Sequence, residues 1–505
     1  MQIEPPADAF AERYSRGEPQ VVWVTLVADL ETPVSAFLKI AGERPMSFLL
    51  ESVEGGAVRG RYSVIGLEPD LIWRSNGTRA EVNRAPSSSP AAFEPCAQPP
   101  LDALRTLIAD SRIDLPSDLP PMAAGVFGYL GYDMVRLMEN LPAPNPDPIG
   151  IAEAVLMRPT LIVVFDAVKD SITVVTPVRA EKGVAASTAL TRAKERLSAV
   201  VDALDRPLDK AAAGSNEGPL DVAPQSNTTP AEYRAMVLKA KDYILAGDIF
   251  QVVLSQRFEA PFKLPPFALY RALRRVNPAP FLYFLDFGDY AIAGSSPEIL
   301  VRARGGKVTI RPIAGTRPRG ATPHEDKALE EELLADPKER AEHLMLLDLG
   351  RNDAGRVSKI GTVSVTDQFF VERYSHVMHI VSNVEGELAE GRDALDALAA
   401  GFPAGTVSGA PKVRAMQIID ELEKEKRGLY AGCVGYFSAA GEMDSCIVLR
   451  TALIKDGTMY VQAGAGIVAD SDPAAEQAEC VNKAKALFRA AEEARRFASV
   501  AGRGQ

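Results

Sequence analysis

Hydrophobic residues along the chain recur with two periods, which predict strands in some segments and helices in others. The runs 47–53 and 290–296 are short, rich in apolar and β-branched residues, and bounded by glycine or polar residues, which is typical of strands. Residues 160–166 and 171–176 form two further runs around the turn Lys169–Asp170. This arrangement predicts a β-hairpin.

Helices are predicted where apolar residues return every three or four positions after a capping residue. Thr229–Glu232 is a capping-box pattern, and the apolar stripe that follows it ends near Gly247. Asp336 and Asp472 each precede a proline, which is the pattern of an N-cap followed by the first helical residue. The segment 185–204 is a fourth helix candidate.

Strands and helices do not alternate regularly, and several strands follow one another as hairpins. This order favours an α+β fold over a doubly wound parallel sheet. Segment 206–230 has the alanine, glycine, proline and asparagine content of a linker. It predicts a boundary between an N-terminal half, 1–205, and a C-terminal region, 231–495. Segment 84–100, rich in proline and serine, predicts a loop.

Composition excludes several classes of protein. Hydrophobic residues make up 47% and charged residues 24% of the 505 residues, as in ordinary soluble proteins. A net charge of −11 argues against binding to nucleic acid or anionic membranes. The first ten residues lack the basic and apolar regions of a signal peptide. The four cysteines have no C-x-x-C spacing, so we expect no zinc ribbon or disulfide framework and a cytoplasmic location.

Candidate chemistry is concentrated in residues 402–483. Residues 459–463 have strand character and lead into a glycine loop, Gly464-Ala465-Gly466. Backbone N–H groups in such a loop can approach an anion closely. The helix predicted after Asp472 places three charged side chains on one face: Glu476, Glu479 and Lys483. Each feature alone is common on solvated surfaces. Together they suit Mg²⁺ and a small polyanion.

Longer motifs resemble those of the chorismate-utilising enzymes. They are P-I-A-G-T-R-P-R-G at 312–320, E-H-L-M at 342–345, R-N-D at 351–353 and most of 402–483. By these motifs the chain is identified as a member of that family. The resemblance implies one α+β body of two packed, largely antiparallel sheets with outer helices and an active-site cleft. It also implies that the N-terminal half supplies a regulatory surface.

Two positions distinguish the reactions within the family. Aminodeoxychorismate synthases resemble this chain but carry a nucleophilic lysine where Ala314 stands. Isochorismate and salicylate synthases carry a lysine base where Gln251 stands, and glutamine cannot act as that base. The resemblance therefore implies an anthranilate synthase large subunit, which converts chorismate and ammonia to anthranilate and pyruvate at the start of tryptophan synthesis. The alternatives are an aminodeoxychorismate-type synthase and a non-catalytic module that senses chorismate or tryptophan.

The resemblance also implies catalytic roles. His379 would move protons near neutral pH during pyruvate elimination, and Thr406 would bind the substrate near the bond that breaks. Glu298 is a candidate acid that would protonate the departing C4 hydroxyl, and the alternative for it is a structural ion pair with an arginine. Glu342 and Glu479 would ligate Mg²⁺, with Glu339 and Glu476 one turn before them. Substrate contacts are expected from the following residues: Gly315, Thr316, Tyr430, Arg450, Gly464, Ala465, Gly466 and Lys483. Lys412 is expected to balance substrate charge together with Lys483.

Partners are implied in the same way. The chain contains no glycine-flanked cysteine elbow, the nucleophile that a glutamine amidotransferase needs. A separate amidotransferase subunit is therefore expected to supply ammonia in a hetero-oligomer. The resemblance further implies feedback inhibition by tryptophan, bound by Ser52, Pro280, Phe281 and Leu282. The alternative for these four residues is packing between the two halves.

Overall fold

The computed structural model describes residues 2–54, 58–208, 223–374 and 377–497, which form 23 strands and 11 α-helices. The strands are β1 Ile3–Glu4, β2 Gln20–Val27, β3 Ser47–Glu54, β4 Val58–Asn76, β5 Arg79–Asn83, β6 Glu94–Pro95, β7 Gly125–Leu130, β8 Ala154–Asp166, β9 Ser171–Val178, β10 Gln225–Ser226, β11 Gln251–Pro261, β12 Phe281–Asp286, β13 Tyr290–Ser296, β14 Ile299–Arg304, β15 Lys307–Ile310, β16 Ile313–Pro318, β17 Ser364–Arg373, β18 Val377–Glu387, β19 Gly409–Ala410, β20 Cys433–Ser438, β21 Met443–Ile447, β22 Thr451–Lys455 and β23 Thr458–Ile467. The helices are α1 Ala7–Ser15, α2 Pro33–Ile40, α3 Pro100–Asp110, α4 Ala186–Leu204, α5 Pro230–Leu245, α6 Pro266–Val276, α7 Pro323–Ala335, α8 Pro337–Gly355, α9 Ala394–Gly401, α10 Lys412–Leu422 and α11 Pro473–Glu493.

All strand pairs in the described ranges are antiparallel. The strands form two sheets, and the long strands β4 and β8 belong to both. One sheet runs β1-β2-β9-β8-β4-β3-β12-β13-β22-β23-β11. The other runs β6-β5-β4-β8-β7-β20-β21-β14-β15-β18, with β16 and β17 also paired to β18. The ladder between β4 and β8 changes register between Pro69 and Leu71, where the shared strands pass from one sheet to the other.

The buried apolar residues form three layers around these sheets. The inter-sheet core takes side chains from both sheets, including Phe48, Phe127, Tyr283 and Tyr436. A second layer covers the outer face of the first sheet with α1, α2, α4, α5, α6, α10 and α11. A third covers the outer face of the second sheet, chiefly with α3, α8 and α9. This confirms the expected α+β fold of two packed antiparallel sheets with outer helices.

The N-terminal and C-terminal parts of the chain are joined within the sheets. Strand β3 pairs with the whole length of β12, and β7 pairs with β20. Each of these two ladders joins a strand from before the predicted linker to one from after it. Most of that linker, residues 209–222, lies outside the described residues.

The predicted helix starts are confirmed. The Thr229 side chain accepts from Glu232 N, Asp336 from Lys338 N and Asp472 from Ala474 N, so each of these residues caps a helix that begins with proline. The hairpin prediction is confirmed by β8 and β9. The predicted loop at 84–100 is irregular except for β6 and the start of α3.

One boundary differs from its prediction. Strand β23 does not end at Ala463 but continues to Ile467, because residues 458–467 pair with β11 throughout. Gly464, Ala465 and Gly466 therefore lie in an extended strand and not in a loop. Pairing with a neighbouring strand outweighs the tendency of glycine to end one.

Two further observations concern the helices and the thiols. In the ranges that the structure describes, no helix is long and apolar enough to cross a lipid bilayer. All four cysteines lie in those ranges and are unbridged. The Cys480 thiol donates to Ala463 O at 2.7 Å, which ties α11 to β23.

Phe127 tests how strongly the inter-sheet core stabilises the fold. Its ring is fully buried and stacks between Phe48 and Tyr436, with centroids 4.7 and 5.5 Å away. We expect Phe127→Ala to lower the free energy of unfolding by about 3–5 kcal/mol, because it leaves a cavity between the sheets. Urea denaturation measures this change. The control is Phe250→Ala, at a side chain 71% exposed, and an equal loss in both variants would contradict the core assignment.

Candidate active site

His379 is fixed by the register of β16 on β18. Thr316 lies opposite His379, and the imidazole Nδ1 is 3.0 Å from Thr316 Oγ1 and 3.1 Å from Gly315 O. Because a carbonyl oxygen only accepts, Nδ1 carries the proton and Nε2 is left with a free lone pair. Burial, assisted by the charge of Arg450, lowers the pKa of His379 to about 4. The imidazole is therefore neutral at pH 7, which corrects the expectation that it titrates near neutrality.

Gly315 has a conformation and a position that glycine alone suits. Its φ is +80°, and a β-carbon there would lie 3.2 Å from both Glu339 Oε2 and Ile380 Cδ1. The backbone at Gly315 thus passes between His379 on one side and the acidic start of α8 on the other.

Glu298 lies between β13 and β14, in the segment Ser296-Pro297-Glu298. Its side chain is buried and Oε1 accepts a hydrogen bond from Thr406 Oγ1 at 3.1 Å. Burial raises its pKa to about 8, although the bonds from Thr406 and from Ile313 N oppose that rise. At pH 7 the carboxyl group is therefore mostly protonated and can donate a proton.

Arg450 supplies a cation without a partner. Its φ is +48°, an uncommon conformation for a residue with a side chain. Within the described ranges, its guanidinium makes no hydrogen bond or ion pair. Burial lowers its pKa, while the hydroxyl of Tyr374 acts in the opposite sense. A half-buried cation without a partner among the described residues favours an anionic ligand.

Gly464 and Gly466 line an edge of β23 that has a strand on one side only. Strand β22 pairs with residues 458–461, whereas β11 continues beside 462–467. A β-carbon at Gly464 would lie 2.9 Å from Tyr430 Oη, and one at Gly466 would lie 2.5 Å from Gln251 Nε2. The glycines thus let both polar side chains reach this edge. Ala465 points its methyl group into the helix-covered core, so only its backbone can meet a ligand.

The expected metal ligands lie on α8 and α11. Glu342 is half-buried, and burial and the nearby carboxylates of Glu339 and Glu479 raise its pKa. Burial also raises the pKa of Glu476, with Glu479 adding to it. Lys338 pairs with Asp470 at 3.1 Å, which brings the start of α8 to the loop before α11. The described residues contain no cluster of three or more potential metal-ligating side chains.

The two lysines differ from their expected role. Lys412 is buried and pairs with Asp353 at 2.7 Å, so its charge is used inside the protein and not on a ligand. Lys483 is half-exposed, pairs with Glu479 at 2.8 Å and donates to Gly464 O at 2.9 Å. Only Lys483 is therefore placed at the ligand-facing edge.

A buried ion pair that the sequence did not indicate supports the site. Arg427 pairs with Glu423 at 2.6 Å and donates to Val407 O and Val253 O, both at 2.7 Å. Glu423 in turn accepts from Ser255 N at 2.8 Å. This pair fixes the turn that carries Thr406 to strand β11. In sequence, this pair has the same four-residue spacing as an exposed ion pair on a surface helix. No sequence pattern therefore distinguishes the buried pair from an exposed one.

The four residues expected to bind an inhibitor come together elsewhere. Ser52, Pro280, Phe281 and Leu282 line a cavity of about 790 Å³ between the sheets. Ser52 lies opposite Phe281 in the ladder of β3 and β12, and its hydroxyl donates to Tyr62 O at 3.0 Å. The cavity also contains the cationic side chains of Arg61, Arg302, Arg304, Arg311 and Arg373.

The predicted residues therefore fall into three groups. The first group, the catalytic cluster, consists of Glu298, Gly315, Thr316, His379, Thr406 and Arg450. Tyr374, which the sequence analysis did not single out, contacts this cluster. The acids of α8 and α11, the edge of β23, Tyr430 and Lys483 form a second group, which adjoins the first at Gly315 and Glu339. The inhibitor residues line the separate inter-sheet cavity.

Comparisons with known proteins show which proteins this chain is similar to. Residues 68–489 match the family model described as chorismate binding enzyme. The chain is 60% identical over 501 residues to anthranilate synthase component 1 of Cereibacter sphaeroides, covering 98% of this chain and 99% of that protein. It is 48% identical to the Pseudomonas putida protein of the same name, covering 92% and 93%. The crystal structure of anthranilate synthase component I from Streptococcus pneumoniae superposes with a TM-score of 0.73 at 38% identity, covering 92% of this chain and 99% of that one.

Glu298→Gln tests the protonated carboxyl group independently of any activity. The folded protein holds this proton up to about pH 8, whereas the ordinary pKa of the group is 4.5. The unaltered protein must therefore lose stability, relative to Glu298→Gln, as the pH rises from 4.5 to 8. We expect the melting temperature of the variant minus that of the unaltered protein to grow over this range and then level off. Glu195→Gln, at an exposed position of α4, is the control, and a pH-independent difference for Glu298→Gln would contradict the assignment.

Proposed function

The chain belongs to the family of chorismate-binding enzymes, and we propose that it is the large subunit of an anthranilate synthase, converting chorismate and ammonia to anthranilate and pyruvate. The observation that carries the proposal is one cluster holding a buried protonated carboxyl group, a neutral imidazole and an unpaired guanidinium. Ala314 and Gln251 add to it. Neither offers an amine nucleophile or a base that would activate water.

The first half of the reaction adds ammonia. Ammonia attacks C2 of the ring, the double bonds shift, and the bond between C4 and its hydroxyl oxygen breaks. Glu298 donates its proton to that oxygen, so that water leaves in place of hydroxide. Thr406, hydrogen-bonded to Glu298, holds the acid in place beside the substrate.

The second half removes the enolpyruvyl group. The free Nε2 of His379 takes the proton from C2, and the electron pair makes the ring aromatic as the C3–oxygen bond breaks. The enolpyruvate that leaves takes up a proton at its methylene carbon and becomes pyruvate. Gly315 O and Thr316 Oγ1 keep His379 in the tautomer that this step requires.

The two substrate carboxylates need separate partners. Arg450 is the partner of the enolpyruvyl carboxylate, because a half-buried guanidinium without an anionic partner in the described ranges can bind a carboxylate with two hydrogen bonds. Tyr430 and the edge of β23 at 464–466 add hydrogen-bond donors, and Lys483 adds positive charge.

The ring carboxylate is assigned to the acidic group, where Mg²⁺ would be held by Glu342 and Glu479. These residues suit the ion, because burial and the neighbouring carboxylates of Glu339 and Glu479 raise the pKa of Glu342, and two carboxylates with water complete a Mg²⁺ shell. Bound there, Mg²⁺ would hold the ring carboxylate and withdraw electrons from the ring. Glu339 and Glu476 would bond to its water ligands.

Regulation and partners are part of the same proposal. A separate glutamine amidotransferase subunit supplies ammonia in the cell, so the working enzyme is a hetero-oligomer. Tryptophan inhibits the enzyme from the inter-sheet cavity, which Ser52, Pro280, Phe281 and Leu282 line. Segment 1–205 then contributes mainly regulation and 231–495 catalysis. The unbridged cysteines support a cytoplasmic location.

The product assay tests the proposal directly. The purified chain is mixed with chorismate, MgCl₂ and ammonium chloride at mildly alkaline pH, and anthranilate fluorescence is followed with chromatography of all products. We expect anthranilate and pyruvate in equal amounts, and none after a metal chelator is added. An aminated ring that keeps its enolpyruvyl group would indicate the aminodeoxychorismate-type alternative. Tryptophan binding without turnover would indicate a sensing module.

Two variants of α8 make the metal assignment specific. Glu342→Gln should raise the Mg²⁺ concentration for half-maximal rate about tenfold or more, since it removes a charged ligand. Asp348→Asn is the matched control, because Asp348 is exposed and pairs only with Arg351 on the same helix. Equal Mg²⁺ requirements in the two variants would contradict the assignment of Glu342.

A further inference from the structure

The inter-sheet cavity and the catalytic cluster share a wall. Pro297 and Ile299 line the cavity, whereas Glu298 between them turns away from it to meet Thr406. Ile313, whose backbone N–H bonds to the Glu298 carboxyl group, also lines the cavity. Both chain neighbours of the proton donor are therefore exposed to a ligand in the cavity.

Tyr374 lines the cavity and also contacts the catalytic histidine. It lines the cavity beside Arg311 and Glu372. Its ring meets that of His379 edge to face, with centroids 5.3 Å apart. Burial raises the pKa of Tyr374, with the Glu298 carboxyl group adding to the rise, and the Tyr374 hydroxyl in turn opposes the lowering of the Arg450 pKa by burial. The ring contact with His379 is therefore the link from the cavity to the cluster.

The position of Tyr374 depends on groups inside the cavity. Its hydroxyl donates to Glu372 Oε2 at 2.9 Å, and the other oxygen of Glu372 pairs with Arg311. All three side chains line the cavity. An amino-acid ligand carries a carboxylate and an ammonium group, which compete for Arg311 and Glu372 respectively. Such competition would release the hydroxyl that holds Tyr374.

We propose that Tyr374 is a positioning residue that couples occupancy of the inter-sheet cavity to the geometry of His379. The inference rests on the proposed function, because it says how an inhibitor in that cavity slows the reaction. Occupancy breaks the Arg311–Glu372–Tyr374 chain, the ring of Tyr374 moves, and His379 loses its alignment on the substrate. Such coupling needs no overlap between the inhibitor and the substrate.

The test separates binding of tryptophan from inhibition by tryptophan. For each variant, calorimetry gives the dissociation constant of L-tryptophan, and the ammonia-dependent assay gives the concentration that halves the rate of that same variant. Tyr374→Phe removes only the hydroxyl that Glu372 holds. We expect its turnover without tryptophan to fall, its affinity for tryptophan to persist, and the inhibitory concentration to rise about tenfold relative to the dissociation constant.

Tyr436→Phe is the matched control. Tyr436 lines the same cavity and accepts from Arg304 at 3.0 Å, but its ring packs on Phe127 in the inter-sheet core. We expect this variant to change binding and inhibition by the same factor. Glu372→Gln is a second test, since it weakens the same chain at its middle member and should separate binding from inhibition as Tyr374→Phe does. Tryptophan binding itself reports that each variant is folded.

The outcomes distinguish this inference from the proposed function. If the unaltered protein turns over chorismate but binds no tryptophan, the inhibitor site is wrong and the coupling fails with it. If Tyr374→Phe and Glu372→Gln are inhibited in strict proportion to tryptophan binding, the inhibitor site stands and the role of Tyr374 is overturned. Binding without proportionate inhibition in both variants, but not in Tyr436→Phe, supports the coupling.

Discussion

The pairing of β4 with β8 is the constraint on which the rest of the structure depends. Both strands are long enough to run through two sheets, so neither sheet can form without the other. The core between the sheets therefore takes side chains from both ends of the chain. Where the sheets diverge, between β3 and β12 on one side and β14 and β21 on the other, the same arrangement leaves the cavity. The catalytic cluster lies directly behind that cavity, because Pro297 and Ile299 flank Glu298.

Burial then sets the chemistry of the cluster. The same loss of water that keeps the carboxyl group of Glu298 protonated keeps the imidazole of His379 neutral. An acid and a base can thus coexist in their useful forms at one pH. The buried pair of Arg427 and Glu423 holds the surrounding backbone, and breaking it would leave an unpaired charge inside the protein. Stability and function are in this way connected through the same desolvated groups.

Sequence patterns predicted what local chemistry determines. The caps at Thr229, Asp336 and Asp472 were predicted correctly, since a capping side chain bonds to its own helix.

The extent of β23 was not predicted correctly, because its pairing with β11 is not visible in the residues of β23 themselves. The burial of Lys412 against Asp353 is likewise a tertiary fact. The role inferred for Tyr374 needed the cavity, which exists only once the two sheets are assembled. The family motifs indicated most of the residues that the structure brings together. They did not indicate the lowered pKa of His379 or the buried ion pair of Arg427 with Glu423.

The central claim is that Glu298 acts in amination and His379 in the elimination that follows. Rapid-quench analysis of one turnover, with Mg²⁺ and ammonia saturating, separates the two steps in Glu298→Gln and His379→Ala. We expect His379→Ala to accumulate an aminated ring that retains its enolpyruvyl group, whereas Glu298→Gln should leave chorismate unreacted. Unreacted chorismate in both variants, or anthranilate formed at the normal rate by His379→Ala, would contradict the central claim.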